Sequence, residues 1–274
     1  MKSQLEKCQQ FAKLHRADGV FVIPNPWDIG SAKLLEGLGF PALATTSDGF
    51  AYARGRLDGS VTLEEKLSHC RELAAATSVP INVDFEDGFA DDPKVVAANV
   101  LKVAATGVAG CSIEDYSRDA KTLYEFNLAV ERVQAAAEAV GSLGMPFQLT
   151  ARAENFLRGV QDIDDTVKRL NAYSRAGAHV LYAPALTTLA QLKLVTSAID
   201  KPFNALGPFF HGVTVKDLGA AGAKRVSVGS ALTWSAVGAL IRSSKELLEQ
   251  GKFDWTAGCA SSADVNKLWI AQRA

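Results

Sequence analysis

The chain has 274 residues, 48% of them hydrophobic and 22% charged, which gives enough apolar material for a sizeable core and excludes a disordered segment. Its 29 basic and 30 acidic residues leave a formal net charge of −1 with no long run of either sign, so neither a nucleic-acid-binding nor a polybasic membrane surface is expected. Cys8, Cys70, Cys111 and Cys259 lie far apart, with no C-x-x-C pair and no histidine at zinc-finger spacing; isolated thiols in a reducing, cytoplasmic setting are the economical reading. The N-terminal MKSQLEKCQQFAKLH is polar and amphipathic, without the apolar core of a signal peptide. The longest apolar stretch, 226–241, is interrupted by serines, glycines and a threonine and falls short of the ~20 apolar residues of a membrane span.

From there, short β-branched runs alternate with helical patterns. A strand at 20–24 (VFVIP) precedes a helix at 29–38, with Asp28 placed to cap it. A strand at 41–46 (PALATT) precedes a helix at 61–76. PINVDF at 80–85 precedes a helix over 93–105, where Pro93 suits a first helical position. GCSIE at 110–114 leads into an alanine-rich helix ending near Val140. FQLTAR at 147–152 is followed by a helix at 163–176, HVLYAP at 179–184 by one at 189–199, and PFNAL at 202–206 by a short one at 215–218. RVSVG at 225–229 opens a last long helix at 231–249. Gly107, Gly177 and Gly222 sit just past helices, where a left-handed cap favours glycine. Strict alternation calls for parallel strands, and about eight units in this length favour a closed (β/α)8 TIM barrel over an open doubly wound sheet. Residues 1–274 are expected to form one such domain, with a helical tail from about 258.

In a barrel the chemistry sits at the C-terminal ends of the strands. The residues there are polar: Asn25, Trp27 and Asp28 after the first strand, Ser47, Asp48, Gly49 and Asp58 after the second. Asp84, Glu86 and Asp87 follow the third, Glu114 and Asp115 the fourth, Arg152, Glu154 and Asn155 the fifth, and Asn204 lies on the seventh. Carboxylates gathered on one rim repel unless a cation sits among them, and an all-oxygen set without Cys or His suits Mg2+, or Mn2+, better than zinc. Magnesium keeps several waters, so one direct carboxylate with the rest acting through water is expected. Arg152 suits a bidentate grip on a substrate carboxylate. Simpler roles compete: Asp28 and Asp115 as helix caps, Glu114 and Arg152 as a structural ion pair, Asn204 as a partner for backbone groups, His179 as a packed or capping residue. His211 lies in a loop near the rim, and Gly229-Ser230 opens a helix as phosphate-binding barrel ends do.

The stretches PNPWDIGSAKLLEGLGFPALATTSDG, GRLDGSVTLEE, INVDFEDGFADDP, GVAGCSIED, LTARAENFLRG, RAGAHVLYAPAL and LGAAGAKRVSVGSAL together resemble the isocitrate lyase/phosphoenolpyruvate mutase superfamily, in family order over about residues 20–240. That resemblance implies a barrel whose last helix is often exchanged between subunits of a homodimer or homotetramer. It implies Mg2+ held by Asp58, Asp84, Glu86 and Glu114, and a small oxo-acid contacted by Ser47, Gly49 and Arg152; Trp27, Asp48 and Asn204, polar residues of the same rim, are expected to join them. The chemistry it implies is formation of a pyruvate-like enolate by C–C or P–C cleavage. The sequence departs from the isocitrate and methylisocitrate lyases after Glu114-Asp115, where YSRDAKTLYEFN lacks the lysine-cysteine-glycine-histidine loop. Lys121 and Asn127 of that stretch are the residue types of the phosphonate mutases and hydrolases, and Glu86 stands where the family often has aspartate.

The expectation is therefore a Mg2+-dependent C–C lyase or decarboxylase for a small 2-hydroxy or 2-oxo (di)carboxylate. Arg152 would act on the substrate, and Lys121, Tyr52 and Tyr116 are the candidates for acid–base work. Phosphonopyruvate hydrolase or mutase chemistry is the alternative, and a metabolite-binding barrel without turnover is a third.

Overall fold

The computed structural model describes residues 2–270. The amphipathic N-terminus is helix α1 (Gln4–Arg16), opened by a capping box between Ser3 and Glu6. Then follow β1 (Phe21–Ile23), α2 (Ile29–Gly37), β2 (Leu43–Ala44), α3 (Ser47–Ala53), α4 (Leu63–Ala76), β3 (Ile81–Asp84), α5 (Pro93–Ala104) and β4 (Gly110–Glu114). A small antiparallel pair, β5 (Tyr116–Ser117) and β6 (Thr122–Leu123), precedes α6 (Phe126–Gly141) and β7 (Gln148–Arg152). The chain continues through α7 (Ile163–Arg175), β8 (Val180–Tyr182), α8 (Leu189–Ser197), β9 (Phe203–Leu206), α9 (Val215–Ala220) and β10 (Arg225–Ser227). It ends in α10 (Ala231–Gln250) and α11 (Ser262–Ile270).

Local chemistry sets these boundaries as expected. Asp28 accepts a 2.7 Å hydrogen bond from the Ser31 N–H, Pro93 opens α5 after its N-cap Asp92, and Thr62 and Glu65 form a capping box on α4. Gly222 ends α9 at φ +99°, and a Cβ there would fall 2.3 Å from Thr196 Oγ1, so only glycine fits. Two connections differ from expectation. The turn after strand two is the short helix α3, capped by the Thr46 hydroxyl, and the loop after strand four carries the β5–β6 hairpin.

Eight strands form one parallel sheet in the order β1-β10-β9-β8-β7-β4-β3-β2. Its two edges meet: the Ala44 N–H donates to the Pro24 carbonyl at 3.0 Å. Asn25 completes the join, its Nδ2 donating to the Thr45 carbonyl and its Oδ1 accepting from the Val228 N–H. The result is the (β/α)8 barrel read from the sequence. The N-terminal end of the barrel is covered by α1: Phe11 is fully buried, a Cβ on Gly110 would meet its ring, and Lys224 Nζ donates to the Ala17 and Gly19 carbonyls. At that same end the His179 Nδ1 accepts from the Leu149 N–H, in keeping with a capping role.

The eighth helix behaves differently from the others. Of the twenty residues of α10 only Thr233 is buried, and Leu240 and Ile241 are 61% and 51% exposed. Beyond it α11 returns to lie against α2, with Lys33 Nζ over the Trp269 ring at 5.3 Å. Among the described residues no helix is long and apolar enough to cross a membrane.

Two buried rings bear on stability. His15 on α1 and His69 on α4 are both held to a pKa of about 3, first by burial and then by the nearby cations Arg225 and Lys66. Both are neutral in the fold, while the unfolded chain protonates near pH 6.5. Stability is therefore complete above about pH 6.5 and is lost as the pH falls toward 3, by about 1 kcal/mol per pH unit for each ring. Urea unfolding at pH 7 and pH 5 checks this on His69→Phe, which removes one ring stacked 3.9 Å from Phe50. The variant should lose about 2 kcal/mol less than wild type on acidification; equal losses would mean that His69 accepts its proton inside the fold.

Candidate active site at the mouth of the barrel

A cavity of about 520 Å3 opens at the C-terminal ends of the strands and runs down to Arg225. That volume is in the range of small-molecule sites. Of the residues singled out from the sequence, Asn25, Ser47, Asp48, Asp58, Asp84, Glu114, Arg152 and Asn204 line it, together with Gly229 and Ser230 at the start of α10.

Arg152, the last residue of β7, holds the middle. Its Nη1 lies 2.8 Å from Asp84 Oδ1 and 3.0 Å from Glu114 Oε1, and its Nε lies 2.8 Å from Glu154 Oε1. The Arg158 Nη2 reaches Glu114 at 3.3 Å and Glu154 at 3.4 Å. The Glu114–Arg152 pair weighed from sequence is thus present, as part of a larger network. Asp84 is pinned from the other side, its Oδ2 accepting from the Ser47 N–H at 3.0 Å. Gly49 can have no side chain, since a Cβ would sit 2.6 Å from Thr233 Oγ1; its N–H is taken by the Thr46 hydroxyl.

The charges do not balance. Asp48, Asp58, Asp84, Glu86, Glu114 and Glu154 lie in or beside the cavity with Lys66, Arg118, Arg152, Arg158 and Arg225, six carboxylates against five cations. Burial, foremost, drives the Glu114 carboxyl well above its usual range in spite of Arg152. Burial and then the Asp84 charge raise Asp58. Asp84 itself is held low: burial alone would raise it, and Arg152 and Lys66 outweigh that. For Arg152, burial works against the charge, and Glu114, Glu154 and Asp84 more than offset it. An added cation would relieve the excess.

Glu86 stands slightly apart. It adopts a left-handed backbone (φ +50°), which lets its carbonyl accept from the Glu114 N–H at 2.8 Å. Its carboxylate meets Lys66 at 3.4 Å and Arg118 at 3.2 Å and does not line the cavity. Arg118 also donates to the Gly59 and Val61 carbonyls, tying the loop after β4 to the loop that carries Asp58. Among the described residues no group of three or more His, Cys, Asp or Glu side chains is drawn together tightly enough to hold a metal by itself. The donors still fit a magnesium ion that takes one carboxylate and several waters, because they are all oxygens, they converge around Asp84, and they carry surplus negative charge.

Other sequence candidates lie elsewhere. Lys121 is exposed at the tip of the β5–β6 hairpin, with φ +54°. Tyr52 packs edge-on behind Trp234, whose indole N–H donates to Asp48 at the mouth. Trp27 backs the Gly49 turn, and His211 is exposed in the loop after β9; none of these four lines the cavity. Tyr116 instead stacks under Arg158, 3.8 Å from its ring. Asp115 caps no helix: it is a buried acceptor for the Glu154 N–H, Arg169 and Tyr173. The sequence reading missed Lys66, Tyr182 and Arg225. Their signals were a lysine inside the apolar stripe of α4, a tyrosine closing an apolar strand, and an arginine opening one.

A model of the phosphoenolpyruvate phosphomutase family matches residues 11–248. An uncharacterized protein of Mycobacterium tuberculosis (strain H37Rv) is 32% identical over 221 residues, covering 80% of this chain and 81% of that one. The 2-methylisocitrate lyase of Halalkalibacterium halodurans is 28% identical over 74% of this chain and 68% of its own. A crystal structure of a candidate lyase or mutase from Burkholderia cenocepacia J2315 superposes with a TM-score of 0.94 at 42% identity, covering 98% of this chain and 96% of that one.

Removing the central guanidinium leaves Arg158 as the cation beside Glu114 and Glu154, and Lys66 as the one acting on Asp84. Arg152→Met should therefore cost about 3–5 kcal/mol in urea unfolding at pH 7. A loss under 1 kcal/mol would show that the carboxylates share protons without needing Arg152.

Proposed function

The chain belongs to the phosphoenolpyruvate phosphomutase family, within the isocitrate lyase/phosphoenolpyruvate mutase superfamily, and from that premise we propose that it is a Mg2+-dependent carbon–carbon lyase or decarboxylase. Its substrate would be a small 2-hydroxy or 2-oxo (di)carboxylate cleaved through a pyruvate-like enolate. The observation that carries this is the surplus of carboxylates converging on Asp84 inside a small-molecule cavity. Asp84 would hold the ion directly, with Asp58, Glu114 and Glu86 supporting it through water, Glu86 from behind its pairing with Lys66. When bound, the cation supplies positive charge against the negative charge that builds on the oxo-acid oxygen. Mn2+ offers the same chemistry.

The protein's own groups would bind and orient the substrate. Arg152 and the Ser47–Gly49 turn face the carboxylate end, with Asp48 held in that turn by Trp234 and Trp27 packed behind it. Asn204 presents its amide from the barrel wall. C–C cleavage is preferred over P–C cleavage because Lys121, the loop cation for a phosphoryl group, lies exposed outside the cavity.

The unpartnered face of α10 supports a homodimer or homotetramer in which a second copy covers Leu240 and Ile241. Sedimentation velocity should give a dimer or larger, and Leu240→Glu with Ile241→Glu should shift it toward monomer. A wild-type monomer at micromolar concentration would rule that assembly out.

The function is tested with oxalate, which mimics the pyruvate enolate, by calorimetry with Mg2+ and then with excess chelator. Wild type should bind only with the metal. Asp84→Ala should bind at least roughly tenfold to a hundredfold more weakly. Binding that ignores both metal and Asp84 would sink the lyase reading, and oxalate binding with no turnover across 2-oxo and 2-hydroxy acids would favour a binding protein.

A further inference from the structure

An enolate needs a proton donor, and the loop candidates Lys121 and Tyr52 do not line the cavity. Apart from carboxylates and arginines, Tyr182 is the one titratable side chain among the described residues that does. It closes β8, in register with Arg152 on β7 and Asn204 on β9, and is only 8% exposed. The Arg152 guanidinium carbon lies 5.0 Å from its ring centroid.

The hydrogen bonds beneath it run in one direction, from Arg225 to Ser227. Arg225, fully inside the barrel, can only donate, and its Nε gives 2.7 Å to Asn204 Oδ1. That orients the amide so that Asn204 Nδ2 donates to Ser227 Oγ at 2.9 Å. The Ser227 hydroxyl, accepting from Asn204, has its own hydrogen to give, and its donation to the Tyr182 oxygen favours the deprotonated phenol. A phenol that accepts from Ser227 keeps its own hydrogen for a group bound in the cavity that it lines.

We propose that Tyr182 is the catalytic acid that protonates the enolate carbon, poised by the Arg225–Asn204–Ser227 relay. In the step, the Tyr182 O–H bond breaks and a C–H bond forms from the electron pair of the enolate double bond. The C–O bond returns to a carbonyl, and a solvent proton restores the phenol. The relay and the Arg152 charge stabilise the tyrosinate in between. Burial, foremost, pushes the phenol up to about 12, so it carries its proton at neutral pH.

This assignment rests on the oxo-acid reading above, and its test separates the two. Run in reverse, the same step exchanges the methyl hydrogens of pyruvate with solvent. Proton NMR of pyruvate in D2O with Mg2+ should therefore show exchange by wild type that rises with pH. Tyr182→Phe should slow it on the order of a hundredfold or more, with oxalate affinity unchanged. Site-specific fluorotyrosine at position 182, with a more acidic phenol, should move the pH profile to lower pH, which a merely structural tyrosine would not do. Oxalate binding in both proteins with equal exchange rates, at any level, overturns the Tyr182 assignment alone. Failure of wild type to bind oxalate overturns the functional reading and this assignment with it.

Discussion

A guanidinium taken out of water among three carboxylates is the interaction on which the mouth of this barrel depends. The attraction between Arg152 and Asp84, Glu114 and Glu154 has to exceed a desolvation cost of several kcal/mol per ion, and it does so only with close geometry and further hydrogen bonds. Those bonds explain much of the surrounding architecture. The Ser47 N–H holds Asp84, and Asp115 holds the Glu154 backbone while itself anchored by Arg169 and Tyr173. Neighbouring loops are drawn in by the same charges, since Arg118 reaches from the loop after β4 to Glu86 and to the carbonyls of Gly59 and Val61.

Beneath that layer the barrel interior is polar where a barrel is ordinarily filled by branched apolar side chains. Thr150, Asn204 and Arg225 replace them, and among the described residues Arg225 has no carboxylate partner; it meets the Asn204, Thr150 and His15 side chains and the Phe11 ring. Burial lowers its pKa to about 9. A buried cation is costly to keep without a counter-ion. What it contributes in return is direction, because a group that can only donate sets the orientation of the Asn204 amide, which in turn donates to Ser227.

The alternation of strands and helices was legible because it rests on local chemistry: period, caps and glycine stops. The cavity-lining carboxylates Asp58, Asp84 and Glu114 were legible for a related reason, since strand ends of a barrel converge whatever the loops do. Loop residues were not. Lys121 and Tyr52 are acid–base types placed after rim strands, and sequence carries no signal for the hairpin that turns Lys121 outward or for the Trp234 ring that backs Tyr52. Glu86 is legible as an acidic residue of the rim, but the partner that holds it is not. That partner, Lys66, sits on the helical spacing of Leu63, Leu67 and Cys70, where a lysine in an apolar stripe asks for a buried anion. Tyr182 was hidden by its company: in HVLYAP it looks like one more strand aromatic, and only the register beside Arg152 and Asn204 sets it apart.

The helix that leaves the barrel also belongs to the site. The first turn of α10 lines the cavity through Ser230 and Trp234, and Thr233 packs so closely on the turn after β2 that Gly49 can be nothing larger. Further along the same rigid helix, Leu240 and Ile241 face outward. A helix rises 1.5 Å per residue, so about 10 Å separates Trp234 from Ile241. A surface that covered those residues would therefore hold the rod that fixes Asp48 through the Trp234 indole. Order at the Ser47–Gly49 turn and the placement of the α10 arm are two ends of one element, and a change that displaces the arm acts on Ser47–Gly49 without touching a cavity residue.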